Sequence, residues 1–242
     1  MYERLPEQNY IQQLSVDCVI FGYQDRQLKV LVSKLNFAGD FYGLPSGFIY
    51  QEEDIDQAAH RVLQYRTGIA DIYLQQFHVF GKAARKNQEF LDQLIALNPD
   101  LERKDQDDHA IYRWFARRFV SIGFYALADM TKVKLGKSEI DESIRWYDIT
   151  ELPPMILDHR EITECALEAL RHDLDQKLNA FNLLPDTFTI KDVQKLYETI
   201  FDRTFVRSNF QKKILDLNVL ERIGKKFTGA ANKAPYLYRF KQ

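Results

Sequence analysis

The spacing of hydrophobic positions changes several times along the chain, and each change marks an element. Ser15 to Gly22 and Gln27 to Leu35 are runs rich in Val, Ile and Leu around the turn Tyr23-Gln24-Asp25-Arg26, which predicts two paired β-strands. From Ile55 to Tyr65 the spacing is helical, and Gly68 follows as a fitting C-cap. Phe90, Leu91, Leu94, Ile95 and Leu97 form a second helical stripe inside the charged stretch Lys82 to Asp108, which predicts a packed surface helix or a contact between two copies of the chain. Apolar strands resume over Trp114 to Leu127. A long helical stretch then runs from Leu157 to about Asn182, with Ile162, Ala166, Ala169 and Leu170 on one side, before Leu183-Leu184-Pro185.

The last fifty residues read as an ordered set. Thr189 is an N-cap for a helix from Ile190, Asp192 suits its first turn, and Ile190, Val193, Leu196, Tyr197 and Ile200 form one apolar stripe. A turn at Phe201 to Phe205 leads to a helix from Val206 to Leu217, with Val206, Phe210, Ile214 and Leu217 spaced to face a core. Val219 to Ile223 and Tyr236 to Phe240 read as two strands joined by a loop holding Lys225, Lys226 and Lys233. Helix, turn, polar-faced helix and basic hairpin together make a winged helix-turn-helix, a DNA-binding arrangement.

Charge strengthens that reading. Thr187 to Gln242 holds 12 Lys and Arg against 5 Asp and Glu, a net of +7, while the whole chain of 242 residues totals −2, so the other 186 residues carry −9. One end therefore suits a polyanion and the other does something else. Arg207, Ser208, Asn209, Gln211, Lys212 and Lys213 on the second helix, with Lys225, Lys226 and Lys233 in the loop, are the candidate DNA contacts. The lysines suit phosphates, and Ser208, Asn209 and Gln211 suit base edges. For each piece taken singly the plainer reading is a solvated face or an ordinary helix pair.

Composition bounds the remainder. With 45% hydrophobic residues the chain can bury a sizeable core, and its length suggests two domains. No apolar run approaches the ~20 residues needed to cross a bilayer, and Met1 to Tyr10 has no apolar signal-peptide segment, so a soluble, cytoplasmic protein is expected. Cys18 and Cys165 lie far apart, which fits a reducing compartment and argues against a zinc site. His60, His78, His109, His159 and His172 have no metal-ligand spacing and read as structural or surface residues.

The segment Gly43-Leu44-Pro45-Ser46-Gly47-Phe48-Ile49, followed by Glu52, Glu53 and Asp54 and the helix to Thr67-Gly68-Ile69, resembles the Nudix family. Gly47, Glu53, Arg61, Leu63, Gly68 and Ile69 stand at the spacing of that family's box. The resemblance implies a Nudix fold, yet the three carboxylates expected after the arginine are replaced by Val62, Tyr65 and Arg66. A guanidinium ~4 Å from a divalent cation is repelled by about 8 kcal/mol at an effective dielectric near 20, and Glu52 and Glu53 alone cannot supply a convergent ligand set. No metal, cofactor or catalytic residue is therefore expected, and Glu53 with Arg61 reads as a structural ion pair.

A Nudix domain, the Leu157-Asp158-His159 helix and a terminal winged helix ending Tyr-Leu-Tyr-Arg-Phe together resemble the Nudix-related transcriptional regulators over nearly the whole chain. The expected fold is α+β: a Nudix α/β/α sandwich over 1–156, a linker helix over 157–185 and a winged helix over 186–242. The resemblance implies a homodimer that binds double-stranded operator DNA and senses a small molecule in the former substrate pocket. One branch of those regulators is tied to ADP-ribose and NAD metabolism, another, in Bacteroidetes, to L-arabinose utilisation. The Leu-Pro-Ser-Gly-Phe loop and degenerate box are more similar to the arabinose branch, implying a repressor of carbohydrate metabolism with a pentose effector. The alternatives are an ADP-ribose-responsive regulator and a Nudix hydrolase acting on nucleoside diphosphate compounds. Lys34, Phe41, Tyr42, Glu52 and Arg117 are the candidate effector contacts, since sugars are held by an aromatic face and a few polar groups.

Overall fold

The computed structural model describes residues 9–70, 72–85, 88–99, 117–177 (backbone alone for 175–177), 183–226 and 234–241. In chain order, the first half comprises β1 (Tyr10–Gln24), β2 (Gln27–Leu35), β3 (Tyr42–Gly43), β4 (Ser46–Tyr50), α1 (Ile55–Thr67), β5 (Tyr73–Phe80) and α2 (Gln88–Leu97). The rest comprises β6 (Val120–Ala128), β7 (Asp141–Asp148), α3 (His159–Lys177), α4 (Ile190–Phe201), α5 (Arg207–Asp216), β8 (Leu220–Lys225) and β9 (Tyr236–Phe240).

β1 lies at the centre of a mixed seven-stranded sheet, parallel to β6 and antiparallel to β2 and β4; β5 extends the sheet beyond β6, and β7 and β3 flank β2. Alternation along β1 sorts its side chains between two covered faces, which is why the run from Val16 to Phe21 is buried throughout. Val16, Cys18 and Ile20 pack towards Ala58, Ala59, Val62 and Leu63 of α1. Val19 and Phe21, with Tyr125 and Leu127 of β6, pack towards Ile162, Ala166, Leu170 and Leu174 of α3. A helix on each face makes the α/β/α sandwich, with each fully buried Leu contributing roughly 1.5–3 kcal/mol.

Local signals decide the element ends. The β1–β2 turn is two residues long, with Asp25 and Arg26 both at positive φ, as a tight hairpin requires. Asp54 caps α1 in a capping box with Gln57, and Gly68 ends it in the left-handed conformation at φ 69°. That helix ends at Thr67, at the Thr67-Gly68-Ile69 stop that the sequence predicts. The stripe in the 82–108 stretch forms α2, whose Leu91 and Leu94 cover Phe41, while residues 100–108 lie outside the described ones. α3 begins at His159 after Leu157 at φ 52°, two residues later than expected, and residues 178–182 lie outside the described ones.

The winged helix grows directly out of this core. Leu183, Leu184, Phe188, Val193, Leu196, Tyr197 and Ile200 join Ile162, Ala166 and Val19 in one continuous apolar cluster. Among the hydrogen bonds that cross the seam, Tyr197 Oη donates to Leu174 O at 2.8 Å, Arg171 Nε to Ile200 O at 2.7 Å, and Thr199 Oγ1 to Arg26 O at 3.3 Å. α3 is thus part of the packing of both halves, not a free tether between them.

Candidate nucleic-acid interface and sensor site

α4 starts where Thr189 accepts from Asp192 N and completes a capping box, and it ends at Asp202 in the left-handed conformation. The following turn is held by Glu198, which accepts from Phe205 N at 3.1 Å, while the rings of Tyr197, Phe205 and Phe210 pack against one another at steep angles beneath it. These contacts set α5 against α4 with Phe210 and Ile214 buried. Arg207, Ser208, Asn209, Gln211, Lys212 and Lys213 are all exposed, so the expected polar face is available on one rigid helix. Val206, expected on the core side, is instead 67% exposed, because it is the N-cap residue and precedes the first turn that carries the apolar stripe.

β8 and β9 pair antiparallel, and a two-way backbone exchange between Phe188 and Tyr238 ties the hairpin to the segment before α4. Lys225 and Lys226 are exposed on it, and Lys233 lies outside the described residues. Sequence reasoning misses Arg222, whose guanidinium lies 4.5 Å from the ring centre of Tyr236 and is held on the exposed face of the hairpin. The register sets Arg222 opposite Tyr238 and Tyr236 opposite Lys225, with an irregularity between Arg222 and Gly224, so no strand pairing read from the sequence points to the Arg222–Tyr236 contact. Arg203 is committed locally, lying over the Phe201 and Phe205 rings at 5.4 and 4.9 Å.

In the first half, Glu53 and Arg61 form a bidentate pair at 2.7 and 2.8 Å, and Arg61 also donates to Phe48 O at 2.7 Å. The hydrogen bonds from Arg61 hold the Glu53 carboxyl below its ordinary pKa. This is the expected structural clamp between the loop and α1. Arg66 is buried and paired with Asp141, which also accepts from Ser138 N and Oγ, so α1 is stitched to the start of β7. Val62 is buried against Gly47, where an added Cβ would stand only 2.6 Å from Val62 Cγ2. Tyr65 is exposed and donates to Lys137 O at 2.9 Å.

Residues 180–240 match the family described as NrtR DNA-binding winged helix domain. The chain is 24% identical over 234 residues, 94% of its length and 81% of the relative's, to the "ADPR responsive transcriptional repressor NtrR" of Acinetobacter baylyi. The crystal structure of Shewanella oneidensis NrtR complexed with a 27mer DNA aligns at a TM-score of 0.71 and 23% identity, covering 95% of this chain and 94% of that one. A MutT/nudix family protein from Enterococcus faecalis aligns at 0.69 and 17% identity, covering 96% and 87%. The fold is a Nudix domain joined to a winged helix.

A Nudix domain implies a divalent cation at the helix that carries its carboxylates, and the residues present do not fit one. Val62 fills its position with hydrocarbon, Tyr65 points to solvent, and Arg66 places a buried cation there that is already neutralised by Asp141. Glu53 spends both oxygens on Arg61. Among the described residues no cluster of His, Cys, Asp and Glu has a metal-binding arrangement, and no helix is long and apolar enough to cross a membrane.

The expected effector residues of the Nudix domain are scattered. Lys34 and Tyr42 are neighbours in register, but Lys34 is paired with Glu142 at 3.0 Å and Tyr42 stands edge-on to Tyr147. Phe41 is a correction: the residue is 6% exposed and packs under α2 against Leu91, Leu94 and Phe90, so in this structure its ring is not open to a ligand. Glu52 stands in the exposed turn before α1, and Arg117 is exposed ahead of β6.

The Leu-Asp-His segment, expected to carry only a structural histidine, takes part in a larger buried polar cluster. Arg85 forks onto Asp158 at 2.7 and 3.0 Å, donates to Phe119 O at 2.9 Å, and lies 3.7 Å from Asp17, which also accepts from Ser121. His159 Nδ1 accepts from Leu44 N at 2.9 Å, and its Nε2 faces Asp17 at 3.8 Å. Burial pulls the His159 pKa down, so the neutral ring is favoured. Burial pushes Asp158 up, but its Arg85 hydrogen bonds and charge more than reverse this and leave it below the ordinary value.

Proposed function

We propose that this protein is a transcriptional regulator, in which the winged helix binds operator DNA and a non-catalytic Nudix domain senses ADP-ribose. The observation that carries the reading is the recognition helix α5: Phe210 and Ile214 anchor it, and its polar face, with Lys212, Gln211, Ser208 and Asn209, is exposed within a segment matching a DNA-binding winged helix family. Lys225, Lys226 and Arg222 on the hairpin extend the basic surface to the phosphates.

For the effector, the relative from Acinetobacter baylyi is ADPR responsive and a repressor, and it aligns over nearly the whole chain. That favours ADP-ribose over the L-arabinose expected from the Leu-Pro-Ser-Gly-Phe loop, and release of operator as the response. Loss of the carboxylates at Val62, Tyr65 and Arg66 supports sensing without hydrolysis. Operator binding places the protein with the DNA in the cytoplasm in this reading, and a homodimer is its expected form, since one winged helix makes limited base contacts.

The test is operator titration with and without ADP-ribose, with L-arabinose in parallel. ADP-ribose weakening operator binding, with no turnover of ADP-ribose in magnesium, is the expected result. By linkage, operator must weaken ADP-ribose binding by the same factor. Magnesium-dependent cleavage of ADP-ribose to AMP and ribose 5-phosphate, abolished by Glu53→Gln, would instead make the chain a Nudix hydrolase.

A further inference from the structure

Between the connection that follows β5 and the first turn of α3 lies a cavity of about 260 Å³. It is lined by Lys82 and Arg85 of that connection, by Asp158 just before α3 and Glu161 in its first turn, and by His78 of β5. None of the residues expected to hold the effector lines it. The four charged groups are cross-paired, Lys82 with Glu161 and Arg85 with Asp158, and Asp17 sits behind Arg85. We propose that this cavity is a subsite for a neutral vicinal diol, the ring of a pentose such as the free ribose end of ADP-ribose.

The sign of the charge decides the ligand class. Three carboxylates against two cations leave no net attraction for phosphate, which would have to take Arg85 from Asp158 while facing Asp158 and Glu161 at close range. A diol adds no charge. Each hydroxyl both donates and accepts, so adjacent hydroxyls can donate to Asp158 and Glu161 and accept from Arg85 and Lys82 without leaving any of the four unpaired. Arg85 is nearly buried and fixed by its fork, so the acceptor geometry is preorganised, whereas Lys82 and Glu161 are exposed enough to adjust.

The position also suits a sensor. Asp158 and Glu161 belong to the start of α3, whose later residues Arg171 and Leu174 bond to α4 of the winged helix. A ring held by the first turn of α3 therefore touches the element that carries the DNA module. The inference rests on the proposed sensing function and locates one end of the effector.

Titration calorimetry of the full chain with ADP-ribose, AMP, inorganic pyrophosphate and L-arabinose tests it, using wild type and the surface variants Glu161→Gln, Glu161→Lys and Lys82→Ala. Losing hydrogen bonds to charged groups should weaken ADP-ribose by about tenfold to a hundredfold in Glu161→Gln, while AMP, which lacks the second ribose, is bound equally by both proteins. Glu161→Lys should weaken ADP-ribose too. If that variant binds ADP-ribose or pyrophosphate more tightly than wild type, the cavity takes phosphate and the inference is overturned. ADP-ribose bound equally by wild type, Glu161→Gln and Lys82→Ala also overturns it, and leaves ADP-ribose sensing standing. Binding of L-arabinose but not ADP-ribose, abolished in Glu161→Gln, supports the diol site and sinks the ADP-ribose reading. No binding of any of the four ligands overturns the inference.

Discussion

Leu44 and His159 are joined by a buried hydrogen bond, 2.9 Å from the Leu44 amide to Nδ1. Leu44 precedes β4 in the Nudix loop and His159 opens α3, so the bond couples the loop to the helix that supports the winged helix. Replacing His159 by Leu strands a buried N–H and should destabilise the protein by about 1–3 kcal/mol. Gln, whose side-chain oxygen can accept from Leu44, should recover part of that loss. Urea unfolding at pH 7.5 measures both, and equal stability of the Leu and Gln variants would detach the effect from this bond.

The same imidazole gives the protein a defined pH response. Its folded pKa lies below the unfolded value, about 6.5, because burial disfavours the charged ring, with Arg85 acting the same way and Asp17 and Asp158 opposing. Above that value neither state binds the proton. As pH falls below it, the unfolded chain gains a proton that the folded ring refuses until its own lower pKa is reached. Stability should therefore fall from about pH 6.5 downwards, with a slope approaching ~1.4 kcal/mol per pH unit. His159→Gln should lack this component below about pH 6.5; an unchanged slope in that variant would remove His159 as its source.

Arg66 and Asp141 replace a metal-binding carboxylate with an internal ion pair. Removing one partner, as in Asp141→Asn or Arg66→Met, leaves an uncompensated buried charge or a stranded carboxylate and should cost about 3–5 kcal/mol. The double replacement should cost less than the sum of the two single ones. Strict additivity in chemical denaturation would mean that the pair is not coupled.

On DNA, Lys212→Ala or Lys225→Ala should weaken specific and nonspecific duplexes alike and shallow the salt dependence by about one unit for each phosphate no longer neutralised. Gln211→Ala or Asn209→Ala should mainly relax sequence preference, by roughly 1–3 kcal/mol for a bidentate base contact. Unchanged affinity across all four would take α5 out of the groove.

The seam between the domains predicts a shared fate. Ala166 is fully buried among Nudix and winged-helix side chains, so a proline there should break α3 and unfold both halves together, by more than the ~3 kcal/mol of the helix break itself. Two separate thermal transitions in Ala166→Pro would mean that the halves fold independently. Tyr197→Phe, which removes the bond to Leu174 O, should cost about 0.5–1.5 kcal/mol.

Short-range chemistry makes much of this protein legible in its sequence. Thr189 with Asp192, Gly68 after α1, and Phe210 with Ile214 at helical spacing follow rules in which a cap, a terminator or an apolar face depends on residues within a turn or two. The Glu53–Arg61 clamp is readable for the same reason, since a fixed loop-to-helix spacing carries it. Val206 escapes these rules, because periodicity does not mark where the first helical turn begins.

By itself the sequence determined the two folds, their order, the charge asymmetry and the loss of metal-binding carboxylates, all of which reside in residue type and spacing. Tertiary structure decided the rest: that Phe41 is sealed by α2, that Arg222 lies on Tyr236, and that Asp17, Arg85, Asp158, His159 and Leu44 meet in one buried cluster. Arg85 and Asp158 are 73 positions apart, and Leu44 and His159 are 115. No period or motif connects residues at such separations. Their meeting follows from the parallel pairing of β1 with β6 and from the apolar face that draws α3 onto the sheet.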